Sequence, residues 1–161
     1  MKRLWPKVCL PLALMALVVL PTTAYANRHL KVSGEIVFVP SAVLVHTPIG
    51  GYTVHTDNLS GSITGTIESS QFLFIRTLII HSNGDFDVTG TITATATMFG
   101  RPGGFTQRIT GTGSTITGAV QGEWVLLNGT GGLAGLHGQG TFAGIAGQAS
   151  DYSGKIYFDP D

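Results

Sequence analysis

The sequence predicts an all-β protein in which one antiparallel sheet curls into a closed or nearly closed barrel. The chain of 161 residues contains 23 glycines, all of them after residue 26, whereas Lys, Arg, Asp and Glu together make up only 11%. From Leu30 onward, short runs of β-branched and aromatic residues are interrupted repeatedly by Gly, Pro or Asn-Gly, which is typical of a sandwich or a barrel. Helical bundles, coiled coils and charge-rich disordered chains are excluded because they need helix formers or charge that this chain lacks.

Four Thr-Gly pairs favour the barrel over the sandwich. They end at Gly65, Gly90, Gly111 and Gly118, inside or at the edge of predicted strands. Glycine weakens a strand unless the backbone bends or bulges there, and a sheet that curls shut needs such bends. Their uneven spacing excludes a solenoid, which needs a fixed period.

The predicted strands follow one another from residue 30 to the end of the chain. Each is a run of β-formers, and Pro40, Gly50-Gly51, Asn83-Gly84 and the glycine-rich segment 129–135 provide the clearest turns between them. The predicted strands are 30–39, 42–47, 52–57, 60–69, 71–81, 86–98, 105–118, 119–127, 138–146 and 152–158.

Residues 1–26 are predicted to be a secretion signal. Lys2 and Arg3 precede the apolar run 8–20, and Ala24-Tyr25-Ala26 supplies small residues for cleavage before Asn27. The run is well short of the ~20 residues that span a bilayer, which argues against the alternative of a retained anchor. We therefore expect residues 27–161 to form a single domain that is secreted, extracellular or periplasmic, and free of the membrane after cleavage.

Charge and cysteine content narrow the classes of function. Three of the nine basic side chains lie in the signal, whereas all nine acidic ones follow it, and the remaining basic residues are scattered. Nucleic-acid binding needs clustered Lys and Arg, so that role is excluded. The single cysteine, Cys9, lies in the signal, no Gly-x-Ser-x-Gly motif is present, and no cofactor is predicted.

The Asn83-Gly84 dipeptide predicts a two-residue hairpin turn. Counting outward from it pairs Ile79 with Val88 and Ile75 with Ile92, and these side chains would point inward. The opposite face of the first strand is then also apolar, with Arg76 as its one interruption. This outer stripe is a candidate homo-oligomer interface, and the alternative is that another part of the same chain covers it. The stripe consists of Phe72, Phe74, Leu78 and Ile80.

The last third of the chain carries a family resemblance. Residues 122–142 read GEWVLLNGTGGLAGLHGQGTF, and the chain closes with YSGKIYF at 152–158. This pattern resembles uncharacterised secreted bacterial proteins of the allene oxide cyclase barrel-like superfamily, which includes the plant dirigent proteins. The resemblance implies an eight-stranded antiparallel barrel, often with a hydrophobic cavity and in several members a trimer. It carries no activity across, because the catalytic residues of the cyclase have no match here.

One hairpin provides the best candidate for chemistry. If Gly50-Gly51 is a two-residue turn, His46 lies opposite His55 with Cβ atoms about 5 Å apart, and Asp57 projects on the same face. These three residues could bind zinc or copper or act as an acid–base set; the alternative is an exposed, weakly interacting pair. By alternation, Glu123 should face solvent while its neighbour Trp124 faces the core.

Three functions remain open at this point. The leading hypothesis is a non-enzymatic barrel that binds a small apolar molecule in its lumen or acts as an extracellular interaction module. The main alternative is a cyclase or isomerase that folds an apolar substrate in the lumen, and it requires polar side chains that converge on an apolar pocket. A third hypothesis is self-association through the predicted outer stripe.

Overall fold

The protein is a closed barrel of eight antiparallel strands, which confirms the predicted fold class. The computed structural model describes residues 28–160, apart from the side chains of residues 40–45; the predicted signal and its cleavage site lie outside the described residues. Each strand pairs with the next in sequence, and β8 pairs with β1 to close the sheet. The strands are β1 (Leu30–Ile49), β2 (Tyr52–Gly65), β3 (Ile67–His81), β4 (Asp85–Met98), β5 (Arg101–Ser114), β6 (Ala119–Gly131), β7 (Leu136–Ile145) and β8 (Ala149–Phe158).

The ten predicted strands become eight because two predicted breaks lie inside continuous strands. Residues 30–39 and 42–47 both belong to β1, whose pairing with β2 shifts register between Pro40 and Ala42 and again between Val43 and Val45. Such irregularities let a strand accommodate a proline, which has no N–H to donate to the sheet. Residues 52–57 belong to the same strand as 60–65, and β2 ends at Gly65.

The four Thr-Gly pairs are divided between strands and turns. Gly90 and Gly111 lie inside β4 and β5, as expected. Gly65 ends its strand with a φ of 100°, and Gly118 lies in the turn before β6 with a φ of 72°. Two of the four positions therefore serve turns rather than bends within strands.

The predicted register of the β3–β4 hairpin is wrong by one residue. Ile80 pairs with Phe86 and Leu78 with Val88, so the loop contains three residues, Ser82–Gly84, rather than two. Gly84 has a φ of 87°, whereas the φ of Asn83 is not positive. A two-residue type I′ turn needs positive φ at both positions, and a three-residue loop needs it only at the last.

This slip overturns the predicted outer stripe. Moving a strand by one residue exchanges its two faces, and Phe72, Phe74 and Leu78 are accordingly buried in the core at 2%, 3% and 8% exposure. Ile80 packs against the same core. The apolar residues that β3 exposes on the outside are Leu73 and the two that were predicted to point inward, Ile75 and Ile79.

The two ends of the barrel differ in how they are filled. We call the end that carries the β2–β3, β4–β5 and β6–β7 turns the closed rim, and the opposite end the open rim. At the closed rim, the turn between β6 and β7 folds Leu133 into the lumen with 0% exposure. Leu133 belongs to the hydrophobic core, and the most buried core residues at this rim include Met98, Leu136, Ile156 and Phe158.

Trp124 fills the middle of the lumen. Its side chain is 2% exposed, and its indole Nε1 donates to the Thr141 carbonyl at 3.2 Å. The ring lies against two glycines of neighbouring strands, where an added Cβ would come within 2.5 Å of it at Gly140 and closer still at Gly154. Glu123 is exposed, as alternation along β6 predicts.

Tyr152 fastens β8 to the β2–β3 turn across β1. It pairs with Gly34 of β1, and its hydroxyl donates to the Thr64 carbonyl at 3.1 Å and accepts from the Ile67 N–H at 3.0 Å. A Cβ at Gly34 would lie 2.8 Å from the hydroxyl oxygen, so the glycine leaves room for the tyrosine to reach across the strand.

Candidate functional site

The half of the lumen toward the open rim contains a cavity of ≈ 180 Å³. Its walls are mainly aliphatic and aromatic side chains, and the β7–β8 turn lies at its mouth. An apolar cavity of about 150 Å³ is large enough to bind a benzene molecule. The site therefore has room for a ligand of roughly one ring or a short branched chain. Its lining includes Ile36, Leu59, Phe86, Ile109, Trp124 and Phe142.

An ion pair brings the strongest polar group to this cavity. Arg76 lines the cavity, and its Nε and Nη2 donate to the two carboxylate oxygens of Asp57 at 2.7 and 3.0 Å. Asp57 is 6% exposed, so its charge is compensated mainly by this bidentate contact. A guanidinium has five N–H groups, and three of them remain after the two bonds to Asp57.

Gln107, Ser150 and Tyr152 are the other polar side chains that line the cavity. Burial raises the pKa of Tyr152 above its usual value of 10.0, although the nearby backbone N–H groups of Ile67 and Thr66 oppose the shift. The hydroxyl therefore stays neutral at physiological pH, and its donor and acceptor functions are already used by β2 and β3. Tyr152 is best understood as part of the scaffold.

The predicted histidine pair forms at the open rim. His46 pairs with His55 across the Gly50-Gly51 turn, in the predicted register, and their Nδ1 atoms lie 3.3 Å apart. The Nε2 atom of His55 lies 3.4 Å from Oδ2 of Asp57. The structure therefore brings His46, His55 and Asp57 together, and Asp57 connects the pair to Arg76 and the cavity.

The exposed histidines His81 and His137 each have a single carboxylate partner. Their Nε2 atoms lie 3.0 Å from Asp87 and 3.0 Å from Asp159, respectively. Both partners come from a neighbouring part of the fold, and for this reason sequence spacing did not indicate them. Within residues 28–160, no three His, Cys, Asp or Glu side chains are grouped so that they could hold a metal ion.

Sequence reasoning missed Arg76 and Gln107 as lumen residues. Both interrupt an otherwise apolar inward face, Arg76 between Phe74 and Leu78 and Gln107 between Phe105 and Ile109. A single polar residue in such a face is a signal for a buried contact. The sequence showed this signal at Arg76, but the wrong register of the β3–β4 hairpin placed that side chain on the outside of the barrel.

The fold and site define a small closed antiparallel barrel whose lumen is packed with side chains toward the closed rim and contains a cavity toward the open rim. No protein-family model matches the chain, and no curated protein matches it. Among solved structures, it is similar to a protein of unknown function from the DUF3224 family of Shewanella oneidensis MR-1, with a TM-score of 0.68 and 19% identity over 83% of this chain and 100% of that one. This likeness supports the fold alone. Across residues 28–160, no helix is long and apolar enough to cross a membrane.

Proposed function

We propose that the protein is an exported, non-enzymatic barrel that binds a small, mainly apolar molecule in the cavity at its open rim. The observation that carries this proposal is a cavity of ≈ 180 Å³ with predominantly apolar walls, since such walls favour apolar ligands over water. Secretion rests on the predicted signal, and membership of the allene oxide cyclase barrel-like superfamily rests on the resemblance in residues 122–142.

The chemistry of the lining favours binding over the cyclase or isomerase alternative. Arg76 and Gln107 are polar groups that could orient a substrate, as that alternative requires. However, the described lining residues include no Asp, Glu, His, Lys or Cys, and these are the usual acids, bases and nucleophiles. The hydroxyl of Tyr152 already bonds to two backbone groups.

The pairing of Arg76 with Asp57 also favours a neutral ligand. The carboxylate offsets the positive charge of the guanidinium, so a second anion would gain little net attraction. The unused N–H groups can still donate to a carbonyl or hydroxyl oxygen. A single-ring or short-chain molecule with one such oxygen therefore fits both the size and the polarity of the cavity.

Trp124 provides a direct test, because it lines the cavity and is the single tryptophan after residue 26. Iodobenzene is a suitable probe: it is apolar, has one ring, and quenches indole fluorescence through its heavy atom. We expect saturable quenching that Val88→Phe, which fills the cavity, weakens at least about tenfold. Thr89→Phe is the matched control because the neighbouring side chain is exposed on the outside of β4.

Equal quenching in both variants, or a linear response without saturation, would contradict the proposal. If the quenching is saturable, solvent extraction and mass spectrometry of the protein purified from its native host would identify the natural ligand. Turnover of an extracted compound by the purified protein would favour the cyclase or isomerase alternative.

A further inference from the structure

We propose that His46 and His55 form a binding site for a divalent late transition-metal ion, Cu²⁺ or Zn²⁺, at the open rim. The site uses two imidazole nitrogens of one chain, and solvent supplies the remaining ligands. It does not depend on what occupies the cavity, and it requires no third protein ligand.

The spacing of the two nitrogens is the first argument. Zinc–imidazole bonds are 2.0–2.1 Å long, so two nitrogens on one tetrahedral ion lie about 3.3 Å apart. The Nδ1 atoms of His46 and His55 lie 3.3 Å apart in the protein. Their ring planes are inclined at 79°, and a modest rotation of the exposed His46 ring would turn both lone pairs toward a shared ion.

The second argument is the contact between His55 and Asp57. The Nε2 atom of His55 faces a carboxylate oxygen at 3.4 Å, which favours the tautomer that carries its proton on Nε2. The lone pair of Nδ1 then points toward His46. A carboxylate behind a ligating histidine fixes the ring in the same way in many metal sites.

Asp57 is itself held in place, and it is not available as a direct ligand. Both of its oxygens accept hydrogen bonds from Arg76, at 2.7 and 3.0 Å, so the carboxylate acts as a positioning group. With the proton of His55 on Nε2, the 3.3 Å contact in the metal-free protein requires His46 to carry its proton on Nδ1 and donate it to His55. When an ion binds, that proton moves to Nε2 of His46, which faces solvent, and the two neutral rings lose no proton overall.

The test uses protein that has no polyhistidine tag and carries His29→Gln, because Asn27-Arg28-His29 at the predicted mature N-terminus would itself bind Cu²⁺. Titration calorimetry with copper(II) and zinc(II) salts on this protein then tests the site. We expect one ion per chain and tighter binding of Cu²⁺ than of Zn²⁺, following the general order of metal affinities. His46→Gln and His55→Gln should each weaken binding at least about tenfold, because loss of a ligand costs no less than the 10–100-fold seen for an outer-shell partner. Both variants should fold, because His46 is exposed and Gln keeps a polar side chain at the half-buried position of His55.

His81→Gln and His137→Gln are matched controls, because each removes an exposed histidine that has one carboxylate partner. Both should bind Cu²⁺ as the wild type does. Electron paramagnetic resonance of the copper-loaded protein should show coupling to two nitrogens, and to one in His46→Gln. Unchanged affinity in His46→Gln and His55→Gln, or loss of binding in either control, would overturn the assignment.

Discussion

Replacing Tyr152 with phenylalanine tests how strongly the hydroxyl that crosses β1 stabilises the barrel. The substitution keeps the ring and removes a hydrogen-bond donor and acceptor. Ile67 is 3% exposed, so its N–H would lose its partner without regaining water, at a cost of about 1–3 kcal/mol. The Thr64 carbonyl would lose a partly buried hydrogen bond as well. We therefore expect Tyr152→Phe to lower the free energy of unfolding by about 2 kcal/mol.

Urea denaturation followed by circular dichroism measures this change, and a thermal scan should show a fall in Tm of about 5–10 °C. Tyr52→Phe is the control because that side chain is 41% exposed, and we expect it to change stability by less than about 0.5 kcal/mol. If the two variants were equally stable, the hydroxyl would not contribute to the closure of the barrel.

The same residue predicts how stability depends on alkaline pH. Because burial raises the pKa of Tyr152 above its usual 10.0, the unfolded chain loses this proton before the folded protein does. The contribution of Tyr152 to stability is therefore complete below pH 10 and is lost as the pH rises through the folded pKa. The difference in unfolding free energy between wild type and Tyr152→Phe should shrink above pH 10; a constant difference up to pH 11 would contradict this reasoning.

Four further substitutions test the register, the packing and the ion pair. In urea denaturation, Phe74→Ala should lower the free energy of unfolding by about 3–5 kcal/mol and Leu73→Ala by less than about 1 kcal/mol. The reverse order would support the register predicted from the sequence. Gly140→Ala should destabilise the fold by about 1–3 kcal/mol and shift the emission of Trp124, and wild-type emission would mean that the ring is not packed on that glycine. Asp57→Asn should cost about 3 kcal/mol because it leaves a cavity-lining guanidinium without its counter-ion; a neutral result in calorimetry would show that solvent already compensates that charge.

Sequence predicted the closed sheet and the histidine hairpin for clear physical reasons. Alternation along β4 leaves one choice of inward face, because polar and apolar residues do not mix there. Gly50-Gly51 was predicted to be a two-residue turn, and counting outward from this turn gave the observed pairing of His46 with His55.

The β3–β4 register could not be settled in the same way. Both faces of β3 are apolar, so hydrophobicity did not distinguish the two registers, and Asn-Gly suits a two-residue turn as well as a three-residue loop that ends in glycine. The ion pair between Asp57 and Arg76 depends on the register of β2 against β3, which local patterns do not determine. The cavity arises from side chains of many strands and has no local sequence signature.

The closing of β8 onto β1 also fixes where the polypeptide enters and leaves the barrel. Leu30 pairs with Ile156, so both described ends emerge side by side at the closed rim. Among residues 28–160, the open rim consists of turns alone. A fusion partner or an affinity handle at either end would therefore project away from the cavity mouth and the histidines. Because the two ends are adjacent, the barrel is suited to circular permutation. A short linker could join the present ends while new ends are opened at the β7–β8 turn beside the cavity. The order of the strands around the barrel would stay the same.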